Sequence, residues 1–529
     1  MRLFTTVVGI RRYLEVEQAR HLPQATEIGS SNLCAATISL VPTMGALHDG
    51  HLSLIRRARQ DTDIVVVSIF VNPLQFAPHE DLARYPRPLE QDQAQCSDAG
   101  VDVVFAPCVQ ELYGEASDLS PEKMTHIIPP QKMSEHLCGK GRPGHFEGVA
   151  TVVIKLLNIV QPDLVYFGEK DAQQLAILRK VIDHLNVDVN VVSCPIVREP
   201  SGLAMSSRNQ YLSPDQRQEA ALLYRGLKQA ERSFQEGFRD RPSLIDKVGA
   251  TLANAPKIRV EYIDLVHPET MTPIDYIEDA GLLAIAAHVG NTRLIDNIVL
   301  RNRQPIIAID GPAGAGKSTV ARQIAQQLGL LYLDTGAMYR AVTWFVLDSG
   351  IPIDDEAGVA ELLNQCDIRL SSDDYQATSC RVWVNQHEVS DVIRTTEVTA
   401  NVSAIAAQPS VREALVKQQR RYGKEGGIVM DGRDIGTHVF PNAELKIFLT
   451  ASVQERARRR HKDLINQGTD MDLEHIEQAI YERDLKDSTR AIAPLCQAPD
   501  SIVVNTDTLS VVDVIQHIVA LYHERQNQN

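Results

Sequence analysis

The stretch Ile306-Ile-Ala-Ile-Asp310-Gly311-Pro312-Ala313-Gly314-Ala315-Gly316-Lys317-Ser318-Thr319 constrains this chain more than any other. Four apolar β-formers run into Asp310, the pattern G-x-x-x-x-G-K-S follows, and an Ala/Gln-rich helical run continues to about Leu328. Strand, glycine loop and helix in that order are the setting a phosphate-cradling loop needs. Glycines let successive backbone N–H groups turn inward onto phosphate oxygens, and the helix directs its positive end at the same point. Lys317 can reach the β- and γ-phosphates of a nucleotide, and Ser318 can hold Mg²⁺. A plain glycine turn is the competing explanation, and the strand before the loop argues against it.

Such a loop normally follows the first strand of its sheet, yet 305 residues precede Ile306. That is too much for a leader, so a complete second unit is expected upstream. A chain of 529 residues has room for about two to four domains. Acidic residues outnumber basic ones, 68 to 53, and no basic stripe is visible, so a nucleic-acid polymer is not an expected partner. The exception is Arg456-Ala-Arg458-Arg459-Arg460, which could be a solvated helix face or a phosphate-binding one. The eight cysteines never fall in C-x-x-C spacing, which argues for a reducing compartment without a zinc ribbon or disulfide framework. No apolar run approaches the length of a membrane span, and Met1 to Val8 reads as a first strand rather than a signal sequence. A cytoplasmic protein with no membrane partner is expected.

In the first half, Arg11 to about Gln24 reads as a helix and Thr37–Val41 as a short buried strand. The strand enters Pro42-Thr43-Met44-Gly45-Ala46-Leu47-His48-Asp49-Gly50-His51, and a helix continues from Leu52 to Arg59. His48 and His51 share one face of its first turn. Imidazoles beside free helix N–H groups can donate to a phosphate whose charge grows in a transition state. Capping or metal ligation are the alternatives, but a zinc pair usually stands at i, i+4 with a further ligand. Ile64–Phe70 is a strand apolar on both faces, ending in Asn72-Pro73-Leu-Gln75, whose amides could meet a ligand or merely make a turn. Val101–Ala106 is another strand. A polar loop, Arg142-Pro143-Gly144-His145-Phe146, precedes a helix over Gly148–Val160. The strand Asp163–Phe167 opens into Gly168-Glu169-Lys170-Asp171-Ala-Gln173-Gln174, where a Lys between two carboxylates can hold phosphate. Val189–Ser193 is the next strand, followed by Val197 and then Met205-Ser206-Ser207-Arg208.

This set resembles pantothenate synthetase (pantoate–β-alanine ligase), of the nucleotidyltransferase superfamily with His-x-Gly-His signatures. The matching pieces are Pro42–His51, Ser68–Phe76, Arg84–Arg87, Arg142–Phe146, Phe167–Gln174 and Met205–Arg208. The resemblance implies a Rossmann-like domain over about 1–200, a small closing α/β subdomain over 201–295, and a two-step ligation. Pantoate carboxylate attacks the ATP α-phosphate, giving pantoyl adenylate and pyrophosphate; the β-alanine amine then gives pantothenate and AMP. By position, His51 resembles the family's catalytic proton donor, with His48 beside the phosphates and Arg208 facing them. Met44 to His51, Gly168 to Asp171, Val197 and Met205 to Arg208 would surround ATP, Lys170 neutralising the transferring phosphate. Gln75 and Gln174 would clamp pantoate, with Asn72 close by. The family commonly carries Thr where this chain has Pro88, and Asp92 is the candidate acidic metal contact. Residues 200–295 read as helix-rich, starting with the cap Ser213-Pro214 and including a strand at Arg259–Ile263. The resemblance further implies a homodimer through this half.

Arg293 to Pro305 reads as a tight connector without Gly/Ser-rich sequence. After the glycine loop come Leu331-Tyr-Leu333-Asp334-Thr335-Gly336-Ala337-Met338-Tyr339-Arg340, then Asp431-Gly432-Arg433-Asp434-Ile-Gly436 and Arg483-Asp484-Leu-Lys486-Asp487-Ser-Thr-Arg490. No Asn-Lys-x-Asp guanine-reading motif follows. These patterns resemble bacterial cytidylate kinase from about Pro305 onward, a P-loop nucleoside monophosphate kinase over 296–529 with a CMP-binding insert near 350–400. The resemblance implies transfer of the ATP γ-phosphoryl to CMP or dCMP, with Mg²⁺. Gly311 to Thr319 would hold ATP. Thr335, Tyr339, Arg340, Ser403, Arg412, Arg433, Asp434, Arg483, Asp487 and Arg490 would hold the acceptor nucleotide. A single helix is expected from Glu397 to about Arg421, and Asp431 could reach Mg²⁺ through water or cap the turn. The expected whole is an α/β chain of two fused enzymes using ATP, pantoate, β-alanine and CMP or dCMP. The alternative is that one half is a non-catalytic nucleotide sensor of the other.

Overall fold

Two largely buried runs, Ile38–Thr43 and Ile64–Ile69, form the centre of a six-stranded, all-parallel sheet in the computed structural model. The structure describes residues 1–21, 36–77, 80, 82–114, 119, 123–253, 255–371, 381–466, 471–489, 493–498 and 500–528. They form two compact units, Met1–Asn302 and Arg303–Asn529.

In the first unit the strands are β1 (Arg2–Phe4), β2 (Ile38–Thr43), β3 (Ile64–Ile69), β4 (Val103–Phe105), β5 (Leu164–Gly168) and β6 (Asn190–Cys194), in the order β1-β4-β3-β2-β5-β6. Strand order reverses between β2 and β5. The loops leaving these two strands diverge to open the crevice where α/β sheets bind ligands. The two histidines follow β2 and Lys170 follows β5. The N-terminal strand is shorter than expected, because Val7 and Val8 already belong to the helix Val7–His21.

The segment after residue 200 is not simply helix-rich. Helices Pro214–Gln235 and Arg241–Leu252 pack on an antiparallel sheet of β7 (Ile258–Val266), β8 (Ala280–Val289) and β9 (Thr292–Arg301). Ser213 and Gln216 cap the first helix reciprocally. The stretch read as a connector is therefore mostly β9, paired with β8 along its whole length. The expected boundary at 295/296 falls inside this strand, and the unit runs to Asn302.

The second unit is built on β10 (Ile306–Asp310), with β11 (Leu331–Asp334), β12 (Ile368–Ser371), β13 (Arg381–Val384), β14 (His387–Glu388), β15 (Ile428–Gly432), β16 (Leu445–Thr450) and β17 (Ile502–Asn505). Five of these make a parallel sheet, β11-β15-β10-β16-β17; β12-β13-β14 form the small antiparallel insert. The single helix expected over 397–421 is two, Thr396–Ala407 and Pro409–Tyr422. Pro409 forces Gln408 into an extended conformation, with ψ at 131°, and the helix ends there.

Candidate active sites

The loop after β2 bends twice through positive φ, at Gly45 (79°) and Ala46 (51°). Asp92 holds the bend: its carboxylate accepts the N–H of Ala46 at 2.9 Å and of Leu47 at 2.8 Å. Burial pushes this carboxyl above its usual range against the pull of those two amides. Asp92, buried and accepting one N–H on each oxygen, thus anchors the loop in this structure.

The bend delivers His48 to the N-cap of the helix Asp49–Asp61, where its Nδ1 accepts the Gly50 N–H at 3.1 Å. An accepting Nδ1 leaves the ring proton on Nε2. The rings of His48 and His51 lie 4.0 Å apart. Burial, then the Lys170 charge, pushes His48 down to about 4; burial, then His48 and Lys170, holds His51 well below its ordinary value. Both are neutral N–H donors near pH 7, and His51 Nδ1 is buried with no partner among the described residues.

Lys170 stands across from them, 3.9 Å from Asp171. Its backbone is held by β9: Asn297 Nδ2 donates to the carbonyls of Glu169 (3.1 Å) and Lys170 (2.9 Å). The neighbouring Asp296 takes both terminal nitrogens of Arg198, at 2.7 and 2.9 Å. That pair secures the turn in which Met205 N–H meets the Val197 carbonyl. Ser206 caps the short turn Ser207–Tyr211, and the Arg208 guanidinium lies 5.9 Å from the Tyr85 ring centre. Lys170, Asp171, Gln174, Ser206, Arg208 and Asn297 line one cleft.

In the second unit, Gly311, Gly314 and Gly316 have φ of 147°, 78° and 88°. A Cβ on Gly311 would sit 1.9 Å from the Leu449 carbonyl oxygen, so only glycine fits. Lys317 is buried and donates to the Pro312 carbonyl at 2.8 Å; burial, then the Arg433 charge, pulls it down to about 7. Ser318 donates to Asp431 at 2.7 Å, and Thr335 to the Asp431 carbonyl at 2.6 Å. A hydroxyl and a carboxylate at a phosphate loop suit Mg²⁺, a hard cation that keeps waters and takes further ligands from phosphates. No group of three or more His, Cys, Asp or Glu forms a metal cage among the described residues.

Around this loop lie paired cations. Asp334 caps the helix Thr335–Asp348 and meets Arg340 at 3.2 Å. Arg412 and Asp434 pair in the interior, and Arg433 meets Asp487 at 2.8 Å. Tyr339 lies 5.9 Å from the Arg412 guanidinium. Burial, then Arg433, lowers Arg483. Asp310 accepts the N–H of Ile435 (2.8 Å) and Gly436 (2.7 Å), tying the turn after Asp434 to the base of the glycine loop. Burial pushes that carboxyl up to about 6.

Residues 15–299 match the family model for pantoate-beta-alanine ligase, and residues 307–524 the model for cytidylate kinase. A bifunctional pantoate ligase/cytidylate kinase of Trichormus variabilis is 56% identical over 533 aligned residues, covering all of both chains. One from Acaryochloris marina is 52% identical, covering 99% of this chain and 98% of its own. The chain belongs to the bifunctional pantoate ligase/cytidylate kinase family. Its ligase half also matches the crystal structure of pantothenate synthetase from Thermus thermophilus. That match has 41% identity and a TM-score of 0.50, and covers 56% of this chain and 99% of that one.

Within the ligase half, the side-chain amides of Gln75 and Gln174 bond to no other described residue. Asn72 is a correction. It is fully buried, its Nδ2 donates to the Gly148 carbonyl and its Oδ1 accepts from Leu74 N–H and the Tyr113 hydroxyl, so it is scaffold rather than a pantoate contact. Within the kinase half, Ser403 is exposed on the helix Thr396–Ala407, and Arg490 lies outside the described residues. The arginine cluster divides. Arg456 is buried and donates to the Ala313 carbonyl at 3.0 Å, while Arg458 is exposed beside Glu455. Asp92, Asp296, Asn297 and Arg198 were not among the expected anchors, since each acts on backbone or charge far away in sequence.

Proposed function

We propose that the ligase half condenses pantoate with β-alanine through a pantoyl adenylate, releasing AMP and pyrophosphate. The kinase half phosphorylates CMP or dCMP from ATP. The convergence of His48, His51 and Lys170 at the sheet's switch point carries the first reading. Pantoate carboxylate attacks the α-phosphorus, the bond to pyrophosphate breaks, and negative charge grows on the phosphate oxygens. Two neutral imidazole N–H groups and one ammonium opposite them meet that charge with little reorganisation. Met44 to His51, Gly168 to Asp171, Val197 and Met205 to Arg208 hold ATP; Gln75 and Gln174 hold pantoate. The buried anchors Asp92, Asp296 and Asn297 keep these loops in place.

In the kinase half, Gly311 to Thr319 cradle the ATP phosphates. Lys317 swings from the Pro312 carbonyl to the β- and γ-phosphates. Arg340, Arg412, Arg433, Arg483 and Arg490 hold acceptor and transferring phosphates. Thr335, Tyr339, Ser403, Asp434 and Asp487 orient the nucleoside. Ser318, with Asp431 behind it, would hold Mg²⁺, which would supply charge neutralisation for the phosphates. The sensor alternative loses its ground, because the full-length relatives are named for both activities. A homodimer through the ligase half and a cytoplasmic location complete the reading. No helix among the described residues is long and apolar enough to cross a membrane.

A phosphorus NMR time course with Mg-ATP tests both halves. AMP and pyrophosphate should accumulate over many turnovers only with pantoate and β-alanine together, and ADP with CDP only with CMP. Absence of either product pattern overturns the assignment of that half.

A further inference from the structure

The loop Arg142–Phe146 plays no part in the phosphate handling above, yet Arg142 and His145 line the ligase cleft beside Lys170 and Gln174. Their polar atoms converge on one target, the backbone carbonyl of Gln75. His145 Nδ1 lies 2.8 Å from that oxygen and Arg142 Nη2 3.1 Å from it. A carbonyl only accepts, so Nδ1 carries the ring proton. Nε2 is then left to accept from Arg142 Nη1 at 2.9 Å. Glu80 grips the rest of the guanidinium, at 2.6 Å to Nε and 2.8 Å to Nη2. Burial, then the Arg142 charge, pushes the His145 ring down to about 4, so this tautomer persists at neutral pH.

The backbone closes the arrangement. His145 begins the helix His145–Val160. One turn on, a Cβ at Gly148 would lie 2.2 Å from the Leu74 carbonyl oxygen, so the helix start presses directly on the Pro73–Gln75 turn. Asn72 Nδ2 bonds the Gly148 carbonyl at 3.0 Å from the other side. The Gln75 amide bonds to no described residue, so the backbone beneath it decides where it reaches.

We infer that Glu80, Arg142 and His145 are positioning residues, a clamp on the Gln75 carbonyl that sets the reach of the Gln75 amide and hence the affinity for the hydroxy-acid substrate. The clamp acts through Gln75: its polar atoms bond the Gln75 carbonyl and one another. The inference rests on Gln75 being a pantoate contact.

Steady-state ligase kinetics on the full chain test it, with His145→Ala, His145→Asn, Glu80→Gln and Gln75→Ala. The expected result for His145→Ala is a pantoate KM raised about tenfold, with kcat within about threefold and the ATP KM unchanged. Glu80→Gln keeps its shape but loses the charge, and shifts the same parameter. It serves as the test where His145→Ala fails to fold. His145→Asn places an amide N–H where Nδ1–H stood and recovers most of the affinity. The clamp is overturned if the pantoate KM stays normal in His145→Ala and Glu80→Gln, if the loss falls on kcat alone, or if Asn does no better than Ala. Gln75→Ala separates the two layers. If it raises the pantoate KM while the clamp variants are normal, only the clamp fails. If it leaves that KM unchanged, the Gln75 reading fails and the clamp with it.

Discussion

Ser318 donates its hydroxyl to Asp431 across 2.7 Å, and the other Asp431 oxygen takes the Tyr332 hydroxyl at 2.9 Å. The carboxylate, carried by β15, is thus braced from β11 by Tyr332 and from the helix Lys317–Leu328 by Ser318, directly behind the phosphate loop. Burial, then the Asp334 charge, raises its pKa, an environment that a divalent cation would relieve. Asp431→Asn should lower kinase kcat by about 100-fold and raise the Mg²⁺ needed for half-maximal rate. A Mg²⁺ titration of ADP release checks this, and an unchanged metal dependence removes Asp431 from the metal's surroundings.

Burial, then the Arg433 charge, lowers the Lys317 pKa, whereas phosphate contact favours its charged form. ATP binding to the kinase half should therefore take up protons, more at pH 8 than at pH 6. Calorimetry in buffers of different ionisation enthalpy reads that uptake, with the ligase cleft's contribution subtracted using Lys317→Ala. The same variant should lose CMP-dependent ADP formation while pantothenate synthesis survives.

Asp92 satisfies two N–H groups in a loop that runs through positive φ at Gly45 and Ala46. Asp92→Ala leaves both without their acceptor, which should cost the ligase half about 1–3 kcal/mol of stability and raise its ATP KM. Kinase activity of the same preparation should be unaffected. A normal ATP KM would mean the loop keeps its shape without the carboxylate.

His51→Ala should reduce ligase kcat by at least about 100-fold with little change in fold. The pH dependence of stability isolates its neighbour. His48 titrates near 4 in the folded protein against an ordinary value of 6.5, so between those values the unfolded chain binds the extra proton. Stability is then lost as pH falls from about 6.5 towards 4 and is level above that window. His48→Asn should flatten part of this loss in ligase-half melting curves; an identical slope would deny His48 its buried, neutral state.

Both phosphate loops were legible because their signals are local. A strand, a few glycines and a helix start lie within one short window, as at Ile306–Thr319 and Pro42–His51. The roles of Asn72 and Asp92 were not legible. Each is decided by partners 76 and 46 positions distant in the chain, Gly148 and Ala46. β9 was missed because Leu294-Ile295-Asp296-Asn297-Ile298-Val299 does not alternate. Its polar pair is buried only because Arg198 and the carbonyls of Glu169 and Lys170 receive it. The break at Gln408-Pro409 obeys a local rule, and periodicity across it obscured the signal.

The position of β9 also decides where the two enzymes can be cut apart. A gene fragment ending at residue 295 would strip most of the edge strand from β8, and remove Asp296 and Asn297 with it. Arg198 would then be left as an unpaired cation, and the lysine loop would lose its two amide ties. Such a fragment could be expected to bind ATP poorly for reasons unrelated to the missing kinase. A fragment closing at Asn302 retains every one of those contacts, and only its behaviour reports whether either enzyme depends on the other.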